Sequence, residues 1–332
     1  MTVSIEELRR IVHKILTKYG YSEGEIGIMR EVLMYGQLRD KDHGLNKLLR
    51  KNMIKSKDAD EITIEKETKL SARINGNHHA GMVVLDKAMR MALQKAKEHG
   101  FGIVGTNNTG TSSGAIGYFA HEVAKRGFIG FVYAGNDEMV CAYGSYEALL
   151  GTNPLAIGVP STEGPMVLDM GTSKISWHKL LETQESEHLL PEQTAYDSEG
   201  KFTIDPTKAR SGALLTFDNS PKSSGISMMI QLLTGPLVGA AFAGIGATTT
   251  NMGHLIYVLD PELLTDAEEF KKNVTLMKER VKATKKLPGV EEIFVPGERG
   301  DRLAQSRIDA GEMEIEDSLV VELKKIIGEK VE

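Results

Sequence analysis

The chain has 332 residues, 41% of them hydrophobic, so it can bury a large core in two or three compact units. Its 40 basic and 46 acidic residues give a formal net charge of -6, which supplies no electrostatic attraction for nucleic acid or an anionic membrane surface. No apolar run approaches the roughly 18 residues that a membrane span needs. We therefore expect an enzyme-sized protein that binds neither nucleic acid nor membrane.

Cysteine usage and the first residues bear on the compartment. The single cysteine, Cys141, excludes an internal disulfide and a multi-cysteine metal site. The charged residues Glu6, Glu7, Arg9 and Arg10 stand where a secretory leader would be apolar. We expect a cytoplasmic protein.

The predicted elements begin with helices. Capping-box patterns at Ser4–Glu7 and Ser22–Glu25 predict a helical pair over residues 4–40. An alternating stretch over residues 62–74 predicts a short two-stranded excursion. Apolar residues at helical spacing then predict a helix from Gly81 to Gly100.

Short apolar strands alternate with helices over the next part of the chain. We predict strands over residues 102–105, 128–133, 155–159, 166–169 and 255–259, and helices over residues 115–126, 226–238, 266–284 and 317–330. The polar segment from Thr183 to Arg210 indicates surface loops. Alternation of this kind predicts a three-layer α/β domain.

One glycine pattern argues against a common cofactor fold. Gly100, Gly102 and Gly105 match the G-x-G-x-x-G string of dinucleotide-binding proteins. That string works after a strand and before a helix, whereas these glycines follow a helix and open a strand. They indicate a helix end and a strand start. The polar turn from Gly105 to Gly114 is either an anion site at the next helix or an ordinary capped loop.

Two other segments are candidate ligand contacts. His43 stands between Asp42 and Gly44, with Lys47 and Arg50 just beyond, so an imidazole and two cations could bind a carboxylate and exchange a proton. A capping or surface histidine is the simpler alternative. Asp169–Thr172 ends an apolar strand and indicates either a ligand contact or a terminating turn.

Seven short segments, in the same order along the chain, resemble one family. They are Asp42–Gly44, Gly114–Tyr118, Gly151–Pro154, Leu168–Thr172, Pro221–Lys222, Asn251–His254 and Val295–Arg299. The chain resembles the malate/L-lactate dehydrogenase family, which includes ureidoglycolate and sulfolactate dehydrogenases and has a non-Rossmann dinucleotide-binding fold.

The resemblance implies hydride transfer between NAD or NADP and a 2-hydroxy or 2-oxo acid, in a homodimer. It implies a helical dimerisation unit of residues 1–75 with 290–332, around a cofactor- and substrate-binding α/β region of residues 76–289 that can hold a small inserted subdomain. His43 and Lys47 would face the substrate carboxylate. The residues implied at the dinucleotide are Asn136, Asn153, Asp169, Met170, Gly171, Lys222, Gly297, Glu298 and Arg299.

The chain departs from the family at its proton carrier. The family places a histidine where this chain has Thr111 and Ser112, and a hydroxyl of high pKa is a poor base at neutral pH. Other departures follow Lys222 and fall between Thr183 and Gln193. At the usual arginine position, Lys47 keeps the charge but loses the bidentate fork.

Three functions remain open at this stage. The first is an active dehydrogenase in which His43, or a water held by Ser112 and Asp137, replaces the missing base. The second is a homologue that binds ligand or cofactor without turnover. The third, a metalloenzyme using His78, His79 and His254, has no supporting ligand spacing, and we predict no metal site.

Overall fold

The computed structural model describes residues 1–246 and 251–329 of the chain. The α-helices in that part are α1 (Ile5–Lys18), α2 (Glu23–Leu38), α3 (Gly81–His99), α4 (Gly117–Lys125), α5 (Trp177–Glu185), α6 (Pro206–Ser211), α7 (Pro221–Thr234), α8 (Ala267–Lys282), α9 (Glu298–Ala310) and α10 (Asp317–Ile326). The strands are β1 (Thr2–Ser4), β2 (Thr63–Glu67), β3 (Ser71–Asn75), β4 (Phe101–Thr109), β5 (Ile129–Ala134), β6 (Val140–Cys141), β7 (Ala148–Leu150), β8 (Leu155–Val159), β9 (Met166–Met170), β10 (Ala195–Tyr196), β11 (Phe202–Thr203), β12 (Ala213–Leu214), β13 (Met252–Leu259) and β14 (Glu312–Glu314). Short 3-10 helices lie at Leu45–Leu49, Lys51–Met53 and Pro261–Leu263.

The N-terminal helix pair forms as its caps predict. The Ser4 hydroxyl accepts a hydrogen bond from the Glu7 amide, and Ser22 forms a capping box with Glu25. Serine caps of this kind satisfy amides that would otherwise lack a partner at a helix start. Helix α1 buries a stripe at helical spacing, made of Leu8, Ile11, Val12, Ile15 and Leu16. The helical pair predicted over residues 4–40 is therefore confirmed.

A seven-stranded sheet forms the centre of the fold, in the order β2-β3-β4-β13-β5-β8-β9. Only β3 and β4 are parallel, and the other neighbours are antiparallel. The predicted two-stranded excursion is the hairpin β2–β3, which forms one edge of this sheet. The predicted unit boundary at residue 75 falls between β3 and α3, and it stays a prediction.

Helices cover both faces of the central sheet. Helices α3 and α4 pack on one face, where Ile256 and Val258 of β13 join the main core. Helix α7 lies on the other face, where Leu255 packs with Val238 and Ala240. Alternation along β13 thus sends successive side chains into two layers of helix. The predicted three-layer α/β fold is confirmed.

The prediction of surface loops from Thr183 to Arg210 is wrong. Thr183–Arg210 contains the end of α5, strands β10 and β11, and most of α6. With β6, β7 and β12, these strands form a second sheet of order β11-β10-β12-β6-β7. A separate core supports it, made of Val140, Leu150, Leu180, Leu190, Ala195, Ala209 and Leu214. Strands of two residues are too short to show alternation, which is why the sequence pattern missed them.

Three predicted boundaries also change. The polar turn predicted from Gly105 to Gly114 begins later, because β4 continues to Thr109. Helix α7 begins at Pro221, five residues before the predicted start, and is capped by Ser220. The predicted C-terminal helix ends at Ile326, and Lys330 lies outside the described residues.

The strand register gathers several loops at one edge of the central sheet, the edge formed by the ends of its strands rather than by an outer strand. Thr109 at the end of β4 pairs with Met252, and Ala134 at the end of β5 pairs with His254. On the other side, Met170 at the end of β9 pairs with Leu155 at the start of β8. The segments that follow β4, β5 and β9 and precede β8 and β13 therefore meet at this edge.

Candidate active site

A cavity of about 930 Å³ opens at this edge of the sheet. Its lining includes His43, Lys47, Ser112, Asn136, Asp137, Asp169, Met170 and Gly171, all predicted site residues. We call it the main cavity. The fold thus brings together candidates that lie up to 128 residues apart in the sequence, although the role of each remains a prediction.

The loop that carries His43 is fixed against α2. The side-chain oxygen of Gln37 accepts a hydrogen bond from the Leu45 amide at 2.9 Å. A Cβ atom at Gly36 would lie 2.6 Å from the carbonyl oxygen of His43, so only glycine permits this contact. The position of the His43 imidazole is therefore set by rigid backbone packing rather than by a free loop.

Helix α5 forms the opposite wall and is tied to this loop at both ends. At its start, the Ser176 hydroxyl donates to the Asp42 carboxylate at 2.7 Å and accepts from the Lys179 amide. At its end, the Arg50 guanidinium forms a two-point ion pair with Glu185. These contacts hold the second sheet and its helix over the cavity.

The cavity holds cations that have no counter-ion. Lys41 pairs with Asp169 at 2.6 Å, but in the described part of the chain no ion pair or hydrogen bond is found for the ammonium groups of Lys47 and Lys51. Burial and the nearby Arg50 guanidinium lower the pKa of Lys47 to about 8. A half-buried ammonium without a partner favours an anionic ligand.

Two neutral imidazoles lie beside Lys47. Burial, then the charge of Lys47, holds the pKa of His43 well below its usual value. Burial also lowers the pKa of His178, to about 4. The His43 Nδ1 atom is buried and has no hydrogen-bond partner in the described residues. The His43 ring is therefore neutral at pH 7, and one of its ring nitrogens keeps a free lone pair.

Thr111 and Ser112, where the resemblance implies a histidine, have hydroxyls that differ in placement. Ser112 lines the main cavity, and its oxygen accepts a hydrogen bond from the Gly114 amide at 3.1 Å. Thr111 is 4% exposed and does not line the cavity. Asp137 does line it, and burial together with the Glu138 carboxylate raises the pKa of Asp137.

A second cavity, of about 700 Å³, continues from the main one. The two share Asp40, Lys41 and Asp169 in their linings. Gly297 and Arg299, predicted at the dinucleotide, line the second cavity at the start of α9. Together we call the two adjoining cavities the groove, and Asp169 lines both of them.

Helix α4 packs closely against strand β9 beside Asp169, which lines both cavities of the groove. A Cβ atom at Gly117, the first residue of α4, would lie 2.6 Å from a carboxylate oxygen of Asp169. Only glycine therefore lets the end of β9 approach the start of α4 this closely.

Three predicted cofactor residues lie outside both cavities. Asn153 is fully buried, and its amide donates to the Gln231 side-chain oxygen at 2.6 Å. Lys222 is exposed in the first turn of α7. Glu298 forms ion pairs with Lys282 and Arg302. Their contact with a dinucleotide remains a prediction, and Asn153 holds the β7–β8 junction against α7.

Several cavity residues escaped sequence reasoning. His178 and Lys179 of α5 fall in a segment with no recognisable motif, and Lys41 carries no local signal of its contact with Asp169. The capping pattern at Ser176 could have identified the helix start. Across residues 1–246 and 251–329, no three His, Cys, Asp or Glu side chains are grouped closely enough to hold a metal ion. In the same ranges, no helix is long and apolar enough to cross a membrane.

Comparison with known proteins places this geometry in a family. Residues 3–324 match the profile of the malate/L-lactate dehydrogenase family. The chain is 34% identical to the malate/(S)-sulfolactate dehydrogenase of Methanothermus fervidus, over 99% of this chain and 98% of that protein. It is 30% identical to the NAD(+) ureidoglycolate dehydrogenase of Escherichia coli, over 91% of this chain and 89% of that protein.

Solved structures agree with the sequence matches. The malate dehydrogenase of Entamoeba histolytica superposes with a TM-score of 0.90 at 27% identity, covering 98% of this chain and 97% of that one. The sulfolactate dehydrogenase of Methanocaldococcus jannaschii gives 0.86 at 30% identity, covering 99% and 98%.

The sequence-based prediction of class is confirmed at the level of the family, since these relatives are dehydrogenases of hydroxy acids. The chain belongs to the malate/L-lactate dehydrogenase family.

Proposed function

We propose that the chain transfers a hydride between NAD or NADP and a small 2-hydroxy or 2-oxo acid in the main cavity. Lys47 holds the substrate carboxylate, and His43 carries the proton of the substrate hydroxyl. The observation that supports this most strongly is the pairing of an unpartnered cation with an unpartnered neutral imidazole on one cavity wall.

The groove fits a dinucleotide. Its two cavities, of about 930 and 700 Å³, adjoin at Asp40, Lys41 and Asp169 and together offer space for a large ligand. The exposed Arg299 lies in the first turn of α9, where free backbone amides also attract phosphate oxygens. We propose that Gly297 and Arg299 hold phosphate groups and that Asn136, Asp169, Met170 and Gly171 lie nearer the reacting end. A bound nicotinamide ring supplies the hydride acceptor or donor.

The chain's own groups handle charge and the proton. The Lys47 ammonium binds the carboxylate and so fixes the neighbouring carbon. In the oxidative direction, the hydroxyl proton passes to His43 as the hydride leaves carbon. The bound carboxylate also offsets the Lys47 charge that lowers the pKa of His43, so substrate binding makes the imidazole a better base.

Ser112 and Asp137 offer another route for the proton, through a water between them. Both line the main cavity, and the raised pKa of Asp137 suits proton exchange better than an ordinary surface carboxylate. Asp137→Asn would lower turnover strongly if this route dominates, and it would leave turnover unchanged if His43 carries the proton.

The test is absorbance at 340 nm with both cofactors and a panel of 2-oxo acids. We expect turnover with at least one acid, and His43→Gln is expected to lower kcat by about 10²- to 10⁴-fold. The matched control is His13→Gln, which removes a partly exposed imidazole of α1 that does not line the main cavity. No absorbance change across the panel would reject this function.

The second candidate is a homologue that binds ligand without turnover, and it rests on Thr111 and Ser112, which stand where the resemblance implies the family histidine. Calorimetry with NADH and NADPH separates the two. Tight binding with no turnover favours the second candidate, and measurable turnover excludes it.

We also propose a homodimer that forms through the outer face of α7, which lies outside the dimerisation unit of residues 1–75 with 290–332 that the resemblance implies. Ile226, Met229 and Leu232 expose between 42% and 54% of their surfaces there, and Leu237 just beyond the helix exposes 57%. Apolar side chains grouped in this way usually mark a protein interface. The single cysteine, Cys141, is buried and reduced, which suits the cytoplasmic location that we propose.

A further inference from the structure

A buried chain of three side chains reaches the main cavity from behind. The Thr106 hydroxyl lies 2.8 Å from His254 Nδ1, and the Ser113 hydroxyl lies 2.9 Å from His254 Nε2. Thr106 and His254 are 0% and 1% exposed. Ser113 is 8% exposed and lines the cavity next to Ser112. The proposed mechanism uses none of the three.

The hydrogen-bond partners of Thr106 determine which atom donates in each of these two contacts. In the described residues, Thr106 Oγ1 has no partner other than His254. If the imidazole donated to Thr106, the hydroxyl hydrogen would be buried without an acceptor, at a cost of about 1 to 3 kcal/mol. Thr106 therefore donates to Nδ1, which leaves the proton of the neutral ring on Nε2.

The same accounting then fixes Ser113. Since Nε2–H donates to the Ser113 oxygen, the Ser113 hydroxyl hydrogen needs an acceptor elsewhere. No protein acceptor is found for it in the part of the chain that the structure describes, and the cavity lies in front of it. The chain of donors thus runs from Thr106 through His254 to Ser113 and ends in the cavity.

We infer that Ser113 is a further catalytic residue, whose hydroxyl donates a hydrogen bond to the reacting oxygen of the substrate, with His254 and Thr106 as positioning residues. This rests on the proposed function of the cavity. A donor that is already oriented stabilises negative charge on that oxygen in the transition state, without the cost of turning at that moment.

The contribution of Ser113 is expected to be independent of pH near neutrality. Burial lowers the pKa of His254 to about 4, so its ring stays neutral and its tautomer constant from pH 5 to 9. No charged side chain contributes to that shift. Ser113 therefore contributes equally across this range. Variants of Ser113 and His254 should lower the rate without changing the shape of the pH profile.

The variants follow from the imidazole geometry. His254→Gln keeps a donor near the Nε2 position and can still hold Ser113. His254→Asn keeps a group near Nδ1 only, so it loses contact with Ser113. Ser113→Ala removes the hydroxyl itself, and Ser211→Ala, which removes an exposed serine hydroxyl on α6, is the matched control.

The experiment joins kinetics to a readout that needs no turnover. We expect Ser113→Ala and His254→Asn each to lower kcat by about 10²-fold, and His254→Gln to keep most of the activity. The double variant Ser113→Ala/His254→Asn should be no slower than Ser113→Ala alone, because both remove one interaction. Equal kcat for Ser113→Ala and the native protein, or multiplied losses in the double variant, would overturn the inference.

Nitrogen NMR of the native protein reads the His254 tautomer directly. A proton on Nε2 supports the inference, and a proton on Nδ1 overturns it. If the native protein turns over no acid, the proposed function fails. Calorimetry with NADH and oxamate then tests the role of Ser113 without any turnover. Weaker oxamate binding by Ser113→Ala than by the native protein supports the inference, while equal affinity or no binding to either overturns it.

Discussion

Charge on Lys47 controls carboxylate binding in this account, and pH titrates that charge. With a pKa of about 8, roughly nine in ten Lys47 side chains carry the proton at pH 7 and about one in ten at pH 9. If only the ammonium form binds, the apparent affinity for a carboxylate ligand falls about tenfold between these values. His43 is neutral throughout this range, because its pKa is lowered.

Two Lys47 variants distinguish loss of the Lys47 charge from other effects of raising the pH. Lys47→Arg keeps a charged group far beyond pH 9, so its affinity should be constant from pH 7 to pH 9. Lys47→Met removes a charged hydrogen bond worth about 1.5 to 3 kcal/mol, which predicts affinity about 10- to 150-fold weaker at pH 7.

Calorimetry with oxamate and saturating NADH provides the assay. The reasoning is refuted if Lys47→Arg loses affinity toward pH 9 as the native protein does. It is also refuted if Lys47→Met binds oxamate as tightly as the native protein at pH 7.

Three further predictions concern stability and assembly. Lys47→Met should raise the free energy of unfolding at pH 7 by about 1 to 2 kcal/mol in urea titrations, since the lowered pKa means that the ammonium destabilises the fold below pH 8, with a discount for partial exposure; equal stability would contradict this. His178 and His254 have pKa values of about 4, so the free energy of unfolding should be constant above pH 6.5 and fall by about 3 kcal/mol for each residue as the pH drops toward 4. In thermal melts, His178→Gln should lose less stability in acid than the native protein does. His188→Gln, which changes an exposed histidine, should lose as much as the native protein. Met229→Asp on the outer face of α7 should shift the dimer to monomer in ultracentrifugation, and an unchanged mass would reject that interface.

Local patterns predicted much of the fold. Serine caps located α1 and α2, and the glycine at position 100 correctly marked the boundary between α3 and β4. Such signals are carried by neighbours in the sequence, so one sequence is enough to read them. Local patterns left a capping histidine at His43 and a terminating turn at Asp169–Thr172 as alternatives, and the family resemblance was needed to place both segments at one site.

The polar run after Gly105 shows where local patterns fail. It was interpreted as a turn because it is rich in amides and hydroxyls, yet its first residues lie in a buried strand. Tertiary partners satisfy them: Asn107 donates to the Val238 carbonyl at 2.9 Å, and Thr109 donates to the Met252 carbonyl at 2.7 Å. Partners more than 130 residues away leave no trace in a local window, so propensity gave the wrong element.

The contact between Ser113 and His254 escaped prediction for the same reason. It joins residues 141 positions apart, and only the antiparallel register of β4 and β13 brings them together. His254 alone suggested a weak metal ligand, whereas the structure gives it two hydroxyl partners. Pairs made by strand register need the fold, not the motif.

The most direct test of the central claim follows a labelled hydride. The protein is incubated with NADH or NADPH in which both C4 hydrogens are replaced by deuterium, together with a mixture of 2-oxo acids, and the products are identified by mass spectrometry. We predict a 2-hydroxy acid that carries one deuterium on its hydroxyl-bearing carbon, with formation strongly reduced by His43→Gln. Absence of any deuterated hydroxy acid with both cofactors and cofactor binding intact would contradict the claim that this cavity is a dehydrogenase site.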